Sequence, residues 1–247
     1  MANVGHNKLF GKVALITGGS RGIGKALATA YAREGARVFI CARNQPSIDR
    51  AVMEIRNRGG EIHGLAGDVA RVEDVKRIVR GAADQYGAID ILVNNASLLG
   101  PRVPIADYPP SAWEEVVRVN LTGVFLMTQE VLRLMMPRRN GAIINISSGV
   151  GRVGKARWGA YAASKFAVEG FTQLLAEELK SLGIRVNAVN PGATRTEMRA
   201  AAYPDEDPLT LPVPEAIVPV FVYLASDASR EVSGRSLEAQ GWSDPAD

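Results

Sequence analysis

Seven short apolar runs rich in β-forming residues alternate along the chain with six longer stretches of helical periodicity. The runs are KVALIT, RVFICA, IHGLAG, DILVNN, AIINIS, IRVNAVN and RSLEA. The helical stretches between them cover residues 22–34, 47–58, 71–86, 111–136, 158–182 and 214–226. Continuous apolar strands joined by helices are typical of a parallel sheet that is covered on both faces. Because such crossovers are right-handed, the sequence predicts an α/β fold with one doubly wound, seven-stranded parallel sheet over residues 1–247.

A glycine-rich segment, TGGSRGIG at 17–24, lies between the first predicted strand and the first predicted helix. Its spacing is neither that of the Gly-Lys-Ser/Thr phosphate loop nor the strict G-x-G-x-x-G fingerprint. At this place, however, glycines let the backbone approach a pyrophosphate, and the helix N-terminus presents unpaired N–H groups. We therefore interpret the segment as the dinucleotide site of a Rossmann-type domain. The alternative is a turn that serves only tight packing of strand against helix.

Charge and composition exclude several classes of protein. The 29 Lys and Arg residues against 26 Asp and Glu give a formal net charge of +3, which is too slight to indicate a nucleic-acid partner. Cys41 is the only cysteine, so no internal disulfide can form, and its apolar surroundings predict a buried side chain. His6 and His63 have no second ligand at metal-binding spacing, and we predict no metal site. Without a signal core or a membrane-spanning run, we expect a cytoplasmic protein with no membrane segment.

Tyr161 and Lys165 occur four residues apart in YAASK, near the start of the fifth predicted helix. At that spacing the two side chains share a helix face, and an ammonium beside a phenol is expected to lower the pKa of the phenol from its usual ~10. A phenol with a lowered pKa can donate or accept a proton. Ser148, at the end of the fifth predicted strand, can direct its hydroxyl into the same cleft. The alternatives are a chance pair on a surface helix and a turn-forming serine.

The chain resembles the short-chain dehydrogenase/reductase family, specifically its short one-domain members with a T-G-x-x-x-G-x-G loop. The resemblance extends from about Lys12 to Gly241 and rests on motifs that follow the family's order and spacing. These motifs are TGGSRGIG, GDV at 67–69, NNA at 94–96, Asn120, Ser148, Tyr161 with Lys165, and NPGATRT at 190–196.

The resemblance implies a division of labour among four catalytic residues. Tyr161 would be the general acid in carbonyl reduction and the base in alcohol oxidation, while Ser148 would polarise the carbonyl. Lys165 would lower the pKa of the tyrosine and hold the nicotinamide ribose. Asn120 would keep a helix kinked around a water that relays protons.

The residues after the second predicted strand favour NADP(H) as the cofactor. An NAD-selective site carries an acid there for the ribose hydroxyls, but here Ala42 stands in that position and Arg43 follows. Together with Arg21 of the glycine loop, Arg43 suits the extra phosphate of NADP. The alternative is a pair of exposed surface arginines. By resemblance, the cofactor-binding residues are Gly18, Ser20, Arg21, Gly22, Ile23, Gly24, Arg43, Asp68, Val69, Asn94, Ala96, Tyr161, Lys165, Pro191, Gly192, Thr194 and Thr196.

Two segments beside the expected cleft bear on the substrate. Residues 197–213 stand where the family has a helical lid, and their prolines predict a short irregular substrate loop. The loop between Ser148 and Tyr161 carries Arg152, Lys155 and Arg157 without an acid. A cleft lined by one sign of charge concentrates opposite charges, which leads to the hypothesis of an anionic substrate. The alternative is a solvated loop whose cations point outward.

The chemistry therefore points to an NADP(H)-dependent oxidoreductase that interconverts a small-molecule ketone or aldehyde and an alcohol. A 3-oxoacyl-thioester reductase is one option: Arg139 matches a basic position that such enzymes use toward acyl carrier protein, whereas Leu182 replaces a second one. A non-catalytic, NADP(H)-binding regulatory protein is the alternative. We also expect a homotetramer or homodimer, although the tail LEAQGW lacks the paired glycines that often help build the family's tetramers.

Overall fold

Seven parallel strands form the sheet in the computed structural model. The structure describes residues 7–245, and His6 lies outside this range. The strands are β1 (Val13–Thr17), β2 (Arg37–Ala42), β3 (Ile62–Ala66), β4 (Ile91–Asn94), β5 (Gly141–Ile146), β6 (Ile184–Asn190) and β7 (Ser236–Glu238). Their spatial order is β3-β2-β1-β4-β5-β6-β7. The predicted doubly wound parallel sheet is confirmed.

Helices cover both faces of this sheet. They are α1 (Gly22–Arg33), α2 (Gln45–Arg56), α3 (Val72–Tyr86), α4 (Pro110–Val117), α5 (Gly123–Arg138), α6 (Gly159–Leu179), α7 (Glu197–Ala202) and α8 (Pro219–Ala225). Alternate side chains of β1 enter two separate cores. Ala14 and Ile16 pack with α1, α2 and α8, whereas Val13 and Leu15 pack with α3, α5 and α6. The central strands β1, β4 and β5 are therefore buried on both faces, which is why they read as continuous apolar runs.

The order of the strands reverses at β1. The chain runs outward from β1 to β2 and β3, then returns to β4 on the other side of β1. A crevice opens at such a switch point, outside the carboxyl ends of the strands. The glycine loop after β1 and the segment after β4 consequently face each other there.

The helix predicted over 111–136 is interrupted. A π-helical turn, Arg118–Thr122, separates α4 from α5. π-Helical turns are rare in proteins, and those that do occur are often found at functional sites.

The predicted loop 197–213 is irregular only in its second half. Its first six residues form α7, and the side chain of Thr196 caps that helix by accepting a hydrogen bond from the backbone N–H of Arg199 at 3.1 Å. The loop prediction was therefore wrong for Glu197–Ala202, because Thr196 caps a short helix that ends before the first proline of the segment, Pro204.

The segment 208–225 is apolar and long enough to cross a membrane by composition. It is not one helix, because short 3₁₀ turns at Pro208–Thr210 and Pro214–Ile217 precede the seven-residue α8. Val220, Phe221 and Leu224 are fully buried in the core. The apolar composition of α8 is thus that of a helix packed against the sheet.

At two positions of the glycine loop, steric constraints explain why the residue is a glycine. Gly18 has a φ of +65°, which residues with a Cβ rarely adopt. A Cβ on Gly24 would lie 2.3 Å from the carbonyl oxygen of Gly18 and 2.5 Å from Nδ2 of Asn95. Gly24 therefore serves the close packing of α1 against the end of β1, which is the packing role that the sequence left open.

We expect Gly24→Ala to lower the free energy of unfolding by about 1–3 kcal/mol, because the added Cβ must displace backbone atoms. Gly154→Ala is the matched control, since Gly154 is exposed and a Cβ there would meet nothing within 4 Å. That control should change the free energy of unfolding by no more than about 0.5 kcal/mol. Urea denaturation followed by circular dichroism measures both, and similar values for the two variants would contradict the packing assignment.

Candidate active site

A cleft of about 680 Å³ opens at the carboxyl edge of the sheet. The glycine loop and the N-terminus of α1 form one end, and the start of α6 with α7 forms the other. Both ends lie on one continuous surface, so one ligand can contact the glycine loop and the Tyr161 and Lys165 side chains at the same time.

The N-terminus of α1 is open toward the cleft. The N-cap residue, Arg21, makes no side-chain capping bond, and the first turn contains no acid. The first N–H groups of a helix lack intrahelical partners and, with the helix dipole, attract anions. The site therefore fits a pyrophosphate, and the bare Gly18 and Gly22 lining the cleft let it approach the backbone.

Basic residues surround the end of β2, but not all are free. Arg43 lines the cleft and makes no ion pair with any residue of the described range 7–245. Arg21, by contrast, pairs with Glu197 at the start of α7, and Lys25 pairs with Glu54 at 2.5 Å. Arg43 is thus available to a phosphate at this end of the cleft, as is Arg50, which also lines the cleft.

Ser148, Tyr161 and Lys165 meet at the floor of the cleft. The Ser148 hydroxyl lies close enough to the Tyr161 hydroxyl to act on its pKa, and it also accepts from the backbone N–H of Val150 at 3.4 Å. Lys165 is buried, and its ammonium donates to the carbonyl oxygen of Ile146 at 2.7 Å and lies 5.5 Å from the centroid of the Tyr161 ring. The end of β5 and the first two turns of α6 therefore hold the three side chains in one place.

Burial decides the protonation of this group. It raises the pKa of Tyr161 to about 12, against a smaller lowering by the hydroxyl of Ser148. Burial also lowers the pKa of Lys165 to about 8, against the opposing effect of Glu169. The expectation that Lys165 lowers the pKa of the phenol is wrong for this form of the protein, because desolvation of the phenolate dominates. Tyr161 is therefore a protonated phenol at neutral pH.

Asn120 lies in the π-helical turn and is fully buried. Its amide accepts from the backbone N–H of Leu98 at 2.7 Å and donates to the Leu98 carbonyl at 2.9 Å and to Ser164 Oγ at 3.2 Å. It does not line the cleft. Its contacts fix the segment after β4 that forms the cleft wall.

Most of the residues that the sequence singled out line the cleft. They are Gly18, Ser20, Arg21, Gly22, Ile23, Arg43, Asp68, Val69, Ala96, Ser148, Tyr161, Lys165, Pro191, Gly192, Thr194 and Thr196. The exceptions are Gly24, Asn94 and Asn120. Gly24 is buried against Gly18, and Asn94 faces the helices, where its amide donates to Thr128 Oγ1 at 3.1 Å and Asn145 Oδ1 at 2.9 Å.

Asn95 lines the cleft instead of Asn94. Its amide donates to the carbonyl oxygens of Thr17 at 2.7 Å and Gly18 at 3.1 Å, and so ties the glycine loop to the end of β4. The alternation of side chains along a strand could have predicted that Asn94 does not face the cleft. Asn94 is the last residue of β4 and pairs in register with Asn145, so its side chain belongs to the buried layer.

The other end of the cleft is apolar and aromatic. Trp158 packs against Tyr161 with ring centroids 5.5 Å apart, and Leu99, Met198 and Ala202 belong to the same cluster. These wall residues, apart from Trp158, carried no motif in the sequence. Met198 and Ala202 reach the cleft on α7, whereas Leu99 lies in the segment after β4.

The cations of the loop between Ser148 and Tyr161 do not line the cleft. Arg152 pairs with Glu238 at 2.6 Å, and Lys155 donates to the Tyr203 hydroxyl at 3.0 Å. Arg157 is exposed. The positive charges that were expected to attract an anionic substrate therefore do not line the cleft, and this part of the substrate prediction is not supported. Arg139 precedes β5 at the opposite edge of the sheet and donates to the Ser181 carbonyl, away from the cleft.

Comparison with known proteins places these features in a family. Residues 12–207 match the short chain dehydrogenase family. The chain is 39% identical over 234 residues to the uncharacterized oxidoreductase YciK of Escherichia coli K12, covering 93% of this chain and 92% of the relative. It is 36% identical over 241 residues to the 3-oxoacyl-[acyl-carrier-protein] reductase FabG of Vibrio cholerae, covering 94% and 97%.

Among solved structures, a short chain dehydrogenase from Escherichia coli CFT073 in complex with NADPH superposes with a TM-score of 0.91 at 39% identity, covering 95% of this chain and 98% of that one. The likeness thus includes the whole sheet and both ends of the cleft. Since the family match extends from before β1 to beyond α7, and relatives of more than 30% identity cover almost the full length, the chain belongs to the short-chain dehydrogenase family.

Proposed function

We propose that this chain is an NADP(H)-dependent oxidoreductase that interconverts a ketone or aldehyde and an alcohol, with Tyr161 as the proton donor and acceptor. The observation that carries the proposal is the convergence of Ser148, Tyr161 and Lys165 at the floor of a cleft whose other end is an uncapped helix N-terminus. A ligand with an anionic end and a reactive end fits that arrangement.

The residues present suit a nicotinamide dinucleotide phosphate. The backbone of Gly18 and Gly22 and the start of α1 would hold the pyrophosphate, and Arg43 would hold the extra phosphate. Lys165 would hold the nicotinamide ribose near Tyr161. The structural relative from Escherichia coli CFT073 contains NADPH, which supports the same cofactor here. When bound, the cofactor supplies or accepts the hydride.

The side chains of the protein would manage the proton. In reduction, the substrate oxygen accepts hydrogen bonds from the hydroxyls of Ser148 and Tyr161, and the phenolic proton moves to that oxygen as negative charge develops. Because burial keeps Tyr161 protonated, the phenol is ready to act as an acid. The ammonium of Lys165 stabilises the phenolate left behind. In oxidation the same atoms act in reverse.

The lining of the substrate end favours an apolar carbonyl compound. Trp158, Leu99 and Met198 offer apolar surface, and the nearest cations are engaged with Tyr203 or with carboxylates. The activity of the relative from Vibrio cholerae keeps a 3-oxoacyl thioester among the options, with its acyl chain rather than its carrier in the cleft. A cofactor-binding regulatory protein, the other function considered, has no use for Ser148, Tyr161 and Lys165 together on the cleft lining.

We further propose that the chain forms homo-oligomers through α5 and α6, since oligomers are common in this family. A groove of about 460 Å³ runs between these helices. Phe125, Met136, Phe166 and Leu174 are between 42% and 52% exposed along the two helices, which is unusual for large apolar side chains in such a group. A second copy related by a two-fold axis would cover the same face on both chains.

Tyr161→Phe should reduce turnover at least about 100-fold, because the proton donor is lost while the ring remains. NADPH binding, measured by the quenching of protein fluorescence, should stay near the wild-type value. Tyr86→Phe is the matched control, since Tyr86 bonds the Val38 carbonyl inside the core and should leave turnover unchanged. Near-normal turnover of Tyr161→Phe would exclude the mechanism.

Arg43→Ala should weaken NADPH binding roughly tenfold to a hundredfold, which corresponds to about 1–3 kcal/mol for a lost hydrogen-bonded ion pair to phosphate. Binding of NADH, which lacks this phosphate, serves as the control and should change little. Arg21→Ala should have a smaller effect on NADPH, because Glu197 already occupies its guanidinium. Calorimetric titration gives the affinities of the wild type and both variants, and equal losses for NADPH and NADH in Arg43→Ala would refute the role of Arg43.

Leu174→Glu should shift the protein to a smaller species in sedimentation velocity, because each copy would bury a carboxylate in the apolar groove. Met53→Glu, on the exposed side of α2, is the matched control and should sediment like the wild type. If Leu174→Glu also sediments like the wild type, the interface lies elsewhere.

A further inference from the structure

Glu169 is a buried carboxylate that the mechanism above leaves without a role. It lies on α6, one turn after Lys165, and is only 7% exposed. It does not line the cleft, so it does not touch a substrate. Burying a charged group costs free energy unless other groups compensate it, so its partners are informative.

One carboxylate oxygen of Glu169 accepts three hydrogen bonds. Oε1 accepts from the hydroxyl of Ser147, from the hydroxyl of Ser236 at 2.8 Å and from Nε of Arg152 at 3.4 Å. These donors belong to the end of β5, to β7 and to the loop before α6. Three donors directed at one oxygen suit a carboxylate anion rather than a protonated acid.

The end of β5 is consequently held by α6 at two consecutive residues. Lys165 donates to the carbonyl oxygen of Ile146 at 2.7 Å, and Glu169 accepts from the side chain of Ser147. Ser148 follows directly. The pair at i and i+4 on α6 therefore sets where the chain leaves the strand, and with it the direction of the Ser148 hydroxyl.

The ammonium of Lys165 needs a compensating charge. Within the described chain, no carboxylate lies within 4 Å of it to form an ion pair. The charged and titratable groups around it are Glu169 and Tyr161 on α6, Arg152 on the loop before α6, and Glu238 on β7. Arg152 pairs with Glu238 at 2.6 Å and more distantly with Glu169 at 3.4 Å, and Glu169 is the carboxylate whose charge opposes the lowering of the Lys165 pKa by burial.

We propose that Glu169 is a positioning residue that supplies the counter-charge of the buried Lys165 ammonium and fixes the end of β5 from which Ser148 extends. This inference rests on the proposed function in that it gives Lys165 and Ser148 their roles. It assigns no contact between Glu169 and the substrate or the cofactor.

The test variant is Glu169→Gln, which keeps the size and one acceptor oxygen but removes the charge. Because Lys165 carries its proton only below its pKa, and burial already lowers that pKa to about 8, loss of the nearby negative charge should lower it further. The ammonium should then be lost at lower pH. NMR titration of ¹³Cε-labelled lysine in the cofactor-free protein measures this directly, with the Lys165 signal identified from its absence in Lys165→Arg.

A second measurement follows carbonyl reduction against pH. In Glu169→Gln the fall in kcat with rising pH should begin at lower pH than in the wild type, with much of the activity regained below that fall. Glu169→Asp, which keeps the charge, should return the profile toward that of the wild type. Glu177→Gln, exposed on the same helix, is the matched control and should leave both titrations unchanged.

The outcomes separate the two proposals. A Lys165 titration that does not move in Glu169→Gln, or a loss of kcat by the same factor at every pH, overturns the counter-charge role, while thermal unfolding shows whether the variant is folded. A Lys165 titration that moves in a protein without reductase activity would support the counter-charge and refute the proposed function instead.

Discussion

All seven strands run in the same direction, and this constraint places every functional segment of the molecule at one edge. Parallel strands need crossovers, and right-handed crossovers bring each strand back to the same starting side. The segments that follow β1, β2, β4, β5 and β6 therefore emerge next to one another, although they are far apart in the sequence. The reversal at β1 then leaves a crevice between them rather than a packed surface.

The floor of that crevice is built on buried polar groups that satisfy one another. Asn94, Asn145 and Thr172 form a chain of side-chain hydrogen bonds between the sheet and α6, with distances of 2.9 Å. A few residues away, Lys165 and Glu169 bind the end of β5. Polar groups in a low-dielectric interior are stabilising only when each has its partner. The same network that secures α6 against the sheet therefore also sets the positions of Ser148 and Tyr161.

The floor of the cleft is buried, whereas the glycine loop is exposed to water, and this difference decides how charges behave in each place. At the floor, it keeps Tyr161 protonated and weakens the hold of Lys165 on its proton, because the neutral form of each is favoured away from water. At the glycine loop the charged groups are exposed, and ion pairs such as that of Arg21 with Glu197 compete with any incoming phosphate. In the proposed function, desolvation would prepare the proton transfer, whereas recognition of the phosphate would depend on which exposed cation remains unpaired.

The sequence by itself determined the parallel sheet, the glycine loop as its first turn, and the grouping of Ser148, Tyr161 and Lys165. Each of these is expressed in local periodicity or in close spacing, which a linear chain displays directly. Only the tertiary structure decided that Asn95 rather than Asn94 faces the cleft, that Arg21 is paired while Arg43 is not, and that Arg152 turns toward Glu238 and Glu169. It also decided the pKa of Tyr161. These properties depend on contacts between residues distant in the sequence and on how much water they exclude, and neither quantity is encoded in the spacing of residues along the chain.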